Sequence, residues 1–130
     1  MRKSITAVDI MQELPYRLNT TDSLFKAGRM MKDHDFRHLP VMEGKELKGI
    51  VSETDYLVQK LKVGTDVEVG NVMSCPAKSL NESSSIDEIV DMFTEQRFRS
   101  VPVVDDRNYL KGIISSVDLI QFLRTNMDEL

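Results

Sequence analysis

Apolar residues Leu24, Ala27, Met30 and Met31 recur at helical spacing, and Asp22 or Ser23 stands before them with the side-chain oxygen that caps a helix N-terminus. This predicts an amphipathic helix whose stripe is core. Behind it, Leu39-Pro40-Val41-Met42 and Leu47-Lys48-Gly49-Ile50-Val51 flank the turn signal Glu43-Gly44-Lys45 and predict a hairpin. A second helix is expected to start near Ser52 to Asp55 and to run through Tyr56, Leu57, Val58 and Leu61. The same order then returns. Ser84 or Ser85 precedes Ile86, Ile89, Val90 and Phe93, Val101 to Val104 pairs with Leu110 to Ser115, and Leu119, Ile120, Phe122 and Leu123 form the last helix. The chain reads as α+β, each half being a short β element, a helix, two strands and a second helix.

The two halves also match residue by residue. Placing Met73 on Met11 brings Leu80 onto Leu18, Asn81 onto Asn19, Ser85 onto Ser23 and Met92 onto Met30. The same shift superimposes Phe98-Arg99 on Phe36-Arg37 and Pro102-Val103 on Pro40-Val41. One extra residue in the second turn, Asp105-Asp106-Arg107-Asn108 against Glu43-Gly44-Lys45, advances the register by one. Beyond it Leu110-Lys111-Gly112-Ile113 falls on Leu47-Lys48-Gly49-Ile50, Ser115 on Ser52, and Asp118 on Asp55. One unit is written twice. Residues 1–62 are read as the first repeat with its N-terminal segment, and 63–130 as a linker and the second repeat. The stretch from Val63 to Val69, with Gly64 and Gly70, reads as the connection.

Composition narrows the classes of partner. With 17 Lys and Arg against 21 Asp and Glu, the net charge is −4 and no basic block stands out. Nucleic acid is a poor partner for such a chain, because its affinity comes mostly from neutralised phosphates. No apolar run reaches the roughly 20 residues that span a bilayer, and Met1-Arg2-Lys3-Ser4 lacks the apolar stretch of a signal peptide. The expectation is a cytoplasmic protein without a membrane partner. A single cysteine, Cys75, forms no internal bridge and with 2 His builds no closed zinc site, so neither a disulfide nor a structural metal is expected. Cys75 is expected to be a small buried or half-buried residue.

Candidate chemistry lies in a pattern found in both halves: Gly49-Ile50-Val51-Ser52-Glu53-Thr54-Asp55 and Gly112-Ile113-Ile114-Ser115-Ser116-Val117-Asp118. It sits where a strand hands over to a helix. Unpaired N–H groups and the positive end of the helix dipole face outward there, a Ser hydroxyl adds a donor, and an anion such as phosphate is favoured. The Asp one turn in carries two acceptor oxygens suited to the paired hydroxyls of a ribose, a bond worth about 1.5–3 kcal/mol. The plainer account makes Ser52 and Ser115 N-caps and Asp55 and Asp118 stabilisers of the first turn, worth about 1 kcal/mol per cap.

Taken together, the order Met, helix, apolar-Pro-Val, Gly-x-x-Ser-x-x-Asp, present twice from about Ala7 to Leu123, resembles the CBS domain, named after cystathionine β-synthase, which occurs as tandem pairs. The resemblance implies two β-α-β-β-α repeats packed sheet to sheet with pseudo-twofold symmetry, and clefts between them that hold AMP, ADP, ATP or a related adenosyl ligand. It also implies a homodimer, no catalytic activity, and regulation of an unidentified protein in trans. One cleft would take Asp55 for the ribose and Ser52 and Thr54 for phosphate, with an adenine wall around Met73, Pro76, Ala77, Lys78 and Phe98. In the other, Asp118 would hold the ribose and Ser115 the phosphate, with Ile113 beside the base and Met11, Leu14, Pro15, Tyr16 and Phe36 around the ring. Arg37, His38 and Arg99 match positions that face phosphates in nucleotide-binding members. The repeats differ at two of these positions, Val117 standing for Thr54 and Ser100 for His38, so the clefts are expected to differ in affinity or in preferred phosphate number.

Other readings compete. A structural or dimerisation module with empty clefts is the main alternative. A metal-dependent phosphohydrolase is suggested by Asp33-His34-Asp35 and His38, but the second repeat has Glu95-Gln96-Arg97 and Ser100 there, so a solvated helix end accounts for it better. Arg37 and Arg99 could instead pair with Asp35 or Glu95 at the surface, where such pairs contribute about 0–1 kcal/mol. The 8 Met are read as core filler on the helix stripes.

Overall fold

The computed structural model describes residues 4–13, 16–96 and 98–129. Along the chain run α1 (Ala7–Ile10), β1 (Leu18–Asn19), α2 (Leu24–His34), β2 (His38–Glu43), β3 (Glu46–Ser52) and α3 (Glu53–Lys62). A 3₁₀ turn at Val69–Asn71 leads to β4 (Leu80–Asn81), α4 (Ile86–Glu95), β5 (Ser100–Val104), β6 (Leu110–Ser115) and α5 (Ser116–Thr125). Ser23 and Ser85 are the N-caps of α2 and α4, accepting from the amides of Lys26 and Glu88. The strands form two three-stranded mixed sheets, β1-β2-β3 and β4-β5-β6, each with a parallel and an antiparallel pair. The class is α+β, and from β1 to α3 and from β4 to α5 the order is the one expected from the pattern, whereas α1 and the 3₁₀ turn lie outside that expectation.

The described residues cluster in two compact units: those of Pro15–Lys78, here called the Asp55 unit, and those of Ser79–Leu130 together with those of Met1–Leu14, the Asp118 unit. Each has its own core. In the Asp55 unit Leu18, Ala27, Leu39, Val41, Val51 and Val69 are buried, and in the Asp118 unit their repeat partners Leu80, Ile89, Val101, Val103, Ile114 and Ala7 are buried in turn. Apart from Val69 and Ala7, which come from the segments that close each unit, these are strand positions and the stripes of α2 and α4, so the periodicity that predicts those elements also selects their inner faces.

The segment closing each unit comes from elsewhere in the chain. In the Asp55 unit the amides of Leu24, Val69 and Gly70 bond to the carbonyls of Val67, Asp22 and Thr20 at 2.8–2.9 Å, and Ile50 and Ser74 exchange two backbone hydrogen bonds at 3.0 and 2.9 Å. In the Asp118 unit Ala7 and Val8 donate to Ser84 and Glu82, while Gln12 and Ile113 exchange bonds at 2.8 and 2.9 Å. Residues 66–75 and 4–13, equivalent by the repeat, thus do equivalent work. The stretch after α3 is therefore docked on the unit it follows.

These bridges explain a proline in the middle strand of each sheet. Pro40 pairs with Ile50, and Pro102 with Ile113, but both isoleucines direct N–H and C=O to the bridging segment on their far side. No bond is asked of the proline nitrogen from that strand. On its other flank β1 reaches only Val41 and Met42, and β4 only Val103 and Val104. The missing donor costs the ladder nothing.

Candidate ligand site at the strand–helix junctions

At the end of β3 the Ser52 amide donates to Asp55 Oδ2 at 2.8 Å, the Ser52 hydroxyl donates to the same oxygen at 2.9 Å, and the Asp55 amide donates to Ser52 Oγ at 3.1 Å. At the end of β6 the Ser115 amide donates to Asp118 Oδ2 and the Asp118 amide to Ser115 Oγ, both at 3.0 Å. Each pair is a capping box. The plainer account of Ser52, Asp55, Ser115 and Asp118 as helix caps is therefore observed geometry. It uses one oxygen of each carboxylate: Oδ1 accepts nothing from the described residues, and both aspartates are half-buried.

An arginine backbone borders each junction in the same way. The amide of Glu53 donates to the Arg37 carbonyl and that of Ser116 to the Arg99 carbonyl, both at 2.9 Å, which fixes each arginine beside the first turn of a helix. Both arginines are exposed, and neither guanidinium pairs with a carboxylate among the described residues. The surface pairing with Asp35 or Glu95 weighed from sequence is not found there. His38 lies directly opposite Ser52 in the ladder, and Ser100 opposite Ser115. Such partners share a sheet face with Cβ atoms about 5 Å apart, so the His38 side chain leaves the sheet beside the capping hydroxyl.

The glycine of the motif has a mechanical reason. A Cβ on Gly49 would lie 2.7 Å from the Ser74 carbonyl oxygen, and one on Gly112 2.7 Å from that of Gln12. Only a residue without a side chain admits the bridging strand. Met73 is thereby packed against Gly49 and Met11 against Gly112. Half-buried Ala77 and exposed Lys78 belong to the Asp55 unit, and half-buried Ile113 to the Asp118 unit, where its backbone bridges to Gln12.

The remaining predicted residues separate by unit. Tyr16 and Phe36 belong to the Asp55 unit, where Tyr16 stacks on His34 with ring centroids 4.1 Å apart and meets Phe36 at 5.5 Å. Phe98 and Arg99 belong to the Asp118 unit, Phe98 packing against its core. Leu14 and Pro15 lie outside the described residues. Thr54 and Val117 are exposed on the first turns of α3 and α5. One expectation is corrected: Cys75 is exposed, because its segment touches the sheet through the Ser74 bridge and leaves the next residue outside. The run Asp33-His34-Asp35 ends α2, with Asp35 in the left-handed C-cap conformation at φ 56°.

Sequence reading missed one further anchor. Asp66 accepts from the Ser23 hydroxyl and from the Phe25 amide, 3.1 Å away, at the N-terminus of α2. The Ser23 hydroxyl, followed by the amides of Phe25, Val67 and Leu24, holds its carboxyl below the usual carboxylate range. Nothing local in the chain signals this, since Asp66 and the helix it serves are far apart in sequence.

The CBS domain family model matches residues 7–60 and again 69–125, and the chain belongs to that family. It is 28% identical over 113 residues to CBS domain-containing protein YhcV of Bacillus subtilis, covering 85% of this chain and 80% of that protein. It is also 28% identical over 116 residues to homoserine O-acetyltransferase of Methanocorpusculum labreanum, covering 88% of this chain but 23% of that protein. The chain thus spans about a quarter of the length of the first curated relatives it matches. The crystal structure of CBSX2 in complex with AMP superimposes with a TM-score of 0.82 at 23% identity, over 94% of this chain and 98% of that one, a likeness of fold. No helix among the described residues is long and apolar enough to cross a membrane.

Proposed function

We propose that this CBS pair is a regulatory module that binds an adenine nucleotide, AMP, ADP or ATP or a related adenosyl compound, and signals its occupancy to a partner protein in trans without chemistry of its own. The observation that carries the reading is the duplicated junction. Each has a half-buried Asp with one carboxylate oxygen left for a ribose hydroxyl and an arginine held beside the first helical turn through its backbone carbonyl. The Ser52 hydroxyl donates to Asp55, so it serves phosphate only by turning away from that carboxylate. The AMP in the CBSX2 complex supports the ligand class. The carried-over roles are Asp55 and Asp118 for ribose, Ser52, Thr54, Ser115, Arg37, His38 and Arg99 for phosphate, and Tyr16, Phe36, Ala77, Lys78, Phe98 and Ile113 for the base. A ligand that binds one arrangement of the chain stabilises it by about 2.7 kcal/mol at a hundredfold excess over its Kd, enough to shift a modest two-state equilibrium.

The test separates cap from ribose contact. Asp55→Asn with Asp118→Asn keeps an acceptor for the Ser52 and Ser115 amides but replaces the other oxygen by a donor. AMP, ADP or ATP is expected to raise the melting temperature of the unaltered chain and to leave that of the double variant unchanged from its own baseline. An unaltered chain indifferent to every adenosyl compound would sink the proposal.

A second reading, a ligand-free dimerisation module, is favoured by a specific observation. Leu57, Val58 and Leu61 on α3, and Val117 and Ile120 on α5, are exposed, Leu61 by 81%. Apolar helix faces of this kind suit a homodimer. Calorimetry showing no binding, with a dimer unchanged by nucleotide in light scattering, would establish it over the first.

A further inference from the structure

The outer faces of the two equivalent helices α2 and α4 carry opposite charge. Away from its buried stripe of Leu24, Ala27 and Met31, α2 exposes Lys26, Arg29 and Lys32, with Asp33 its one carboxylate. Away from buried Ile89, α4 exposes Asp87, Glu88, Asp91 and Glu95 and has no cation. By the repeat, Lys26 matches Glu88 and Arg29 matches Asp91, so equivalent surface positions hold opposite signs. Among the described residues none of these exposed cations and carboxylates is in an ion pair. Helix electrostatics does not account for the stripes. Lys32 suits the last turn of α2, and Asp87 and Glu88 the first turn of α4, but Lys26 stands in a first turn, where the dipole favours an anion, and Glu95 ends a helix whose last turn has no basic residue. Neighbours three or four apart also repeat one sign, Lys26 with Arg29, Arg29 with Lys32, Glu88 with Asp91 and Asp91 with Glu95, which disfavours each helix taken alone. Opposite charge from outside the chain relieves both effects. A foreign partner would call for one sign, whereas this chain presents both at matched places.

We infer that the basic α2 face of one copy docks on the acidic α4 face of a second copy, so that self-association pairs the Asp55 unit of each chain with the Asp118 unit of its partner. Pairing like with like would set Lys26 and Arg29 against their own kind, and Glu88 and Asp91 likewise. Exposed Leu57, Val58 and Leu61 on α3, which packs on α2 through Tyr56 and Gly28, supply apolar area in one unit, and Val117 and Ile120 on α5 supply it in the other. Charge then selects which unit meets which. The inference rests on the self-association through helix faces proposed above and is independent of nucleotide binding.

The experiment is sedimentation equilibrium of the full chain at low and high NaCl. It compares the unaltered chain, Lys26→Glu with Arg29→Glu, Glu88→Lys with Asp91→Lys, and a chain carrying all four substitutions. At low salt each two-residue variant is expected to have a dimer Kd raised about tenfold or more, and the difference is expected to narrow at high salt. The chain with all four substitutions is expected to regain the association of the unaltered one, because its stripes are opposite again. That recovery tells loss of contact from loss of fold. The Lys26→Glu, Arg29→Glu variant adds a second check, since an acidic first turn favours α2 and its weaker association cannot come from a weakened helix. A dimer of equal Kd in all these chains, or two-residue variants that their combination does not rescue, would overturn the pairing of unlike units and leave a helix-face dimer standing. An unaltered chain that stays monomeric would overturn both.

Discussion

In the Asp55 unit α2 runs so close to α3 that a Cβ on Gly28 would overlap the ring of Tyr56, whereas the matched positions of the Asp118 unit hold Val90 and Leu119. Tyr56 is half-buried, meets Phe25 edge-on with ring centroids 6.1 Å apart, and accepts a hydrogen bond from Lys60 Nζ at 3.1 Å. Leu119 is simply buried. The helix N-termini diverge in the same complementary way. The first turn of α2 has no acidic residue, and Asp66 reaches it from the segment after α3, while α4 carries Asp87 and Glu88 in its own first turn. Each unit meets the same need, an anion at a helix N-terminus and a filled helix–helix seam, with different residues. The capping boxes, the bridging strand and the glycine that admits it are identical in kind. What has been kept is the junction that aims an aspartate, and what has drifted is its support and its charge.

The sharpest way to break this comparison is to remove the shared part. Gly49→Ala or Gly112→Ala sets a Cβ against a backbone oxygen that cannot rotate away, so the Ser74 or Gln12 bridge opens in either unit. The expected loss is about 3 kcal/mol, from overpacking and two backbone hydrogen bonds, and urea midpoints should fall alike for the two variants. A loss confined to one unit would mean that the bridges are not equivalent.

A smaller effect belongs to the part that drifted. Gly28→Ala gains helix propensity but collides with Tyr56, a net loss of about 1–2 kcal/mol. Adding Tyr56→Leu, the solution the other unit uses, should recover most of it in the same unfolding measurement. Failure of the double variant to recover would mean that Tyr56 itself, through Phe25 and Lys60, holds the seam.

The smallest effect is expected at Asp66. Its folded-state pKa is lowered from 3.8, so its contribution is present at neutral pH and disappears as pH falls through the folded value. Asp66→Asn should lower the melting temperature slightly at pH 7 and match the unaltered chain at an acid pH below the lowered folded-state pKa of the carboxyl. A gap of equal size at both pH values would mean that the amide fails for steric and not electrostatic reasons.

Much of this was legible in the chain because the repeat gives every motif a control. Asp22 or Ser23 announced α2 and Ser84 or Ser85 announced α4, with Ser23 and Ser85 the observed caps, Glu43-Gly44-Lys45 announced a hairpin, and Ser52-x-x-Asp55 announced a cap, all through interactions spanning a few residues. The role of Gly49 was invisible, since it depends on the carbonyl of Ser74, distant in sequence. The exposure of Cys75 was misjudged for the same reason: the bridge that leaves it outside involves Ser74 and Ile50 only. Sequence could weigh the capping role of Asp55 against a ligand role but could not show that capping occupies one oxygen and leaves the other.

The amino-acid sequence by itself determined the elements, their order, their inner faces and the duplication, because propensity, capping and hydrophobic periodicity act over a few neighbouring residues. Tertiary structure alone decided which segment closes which sheet and why two glycines and two prolines sit where they do. Those are matters of hydrogen-bond register and close approach between stretches far apart in the chain, and no local pattern encodes the partner.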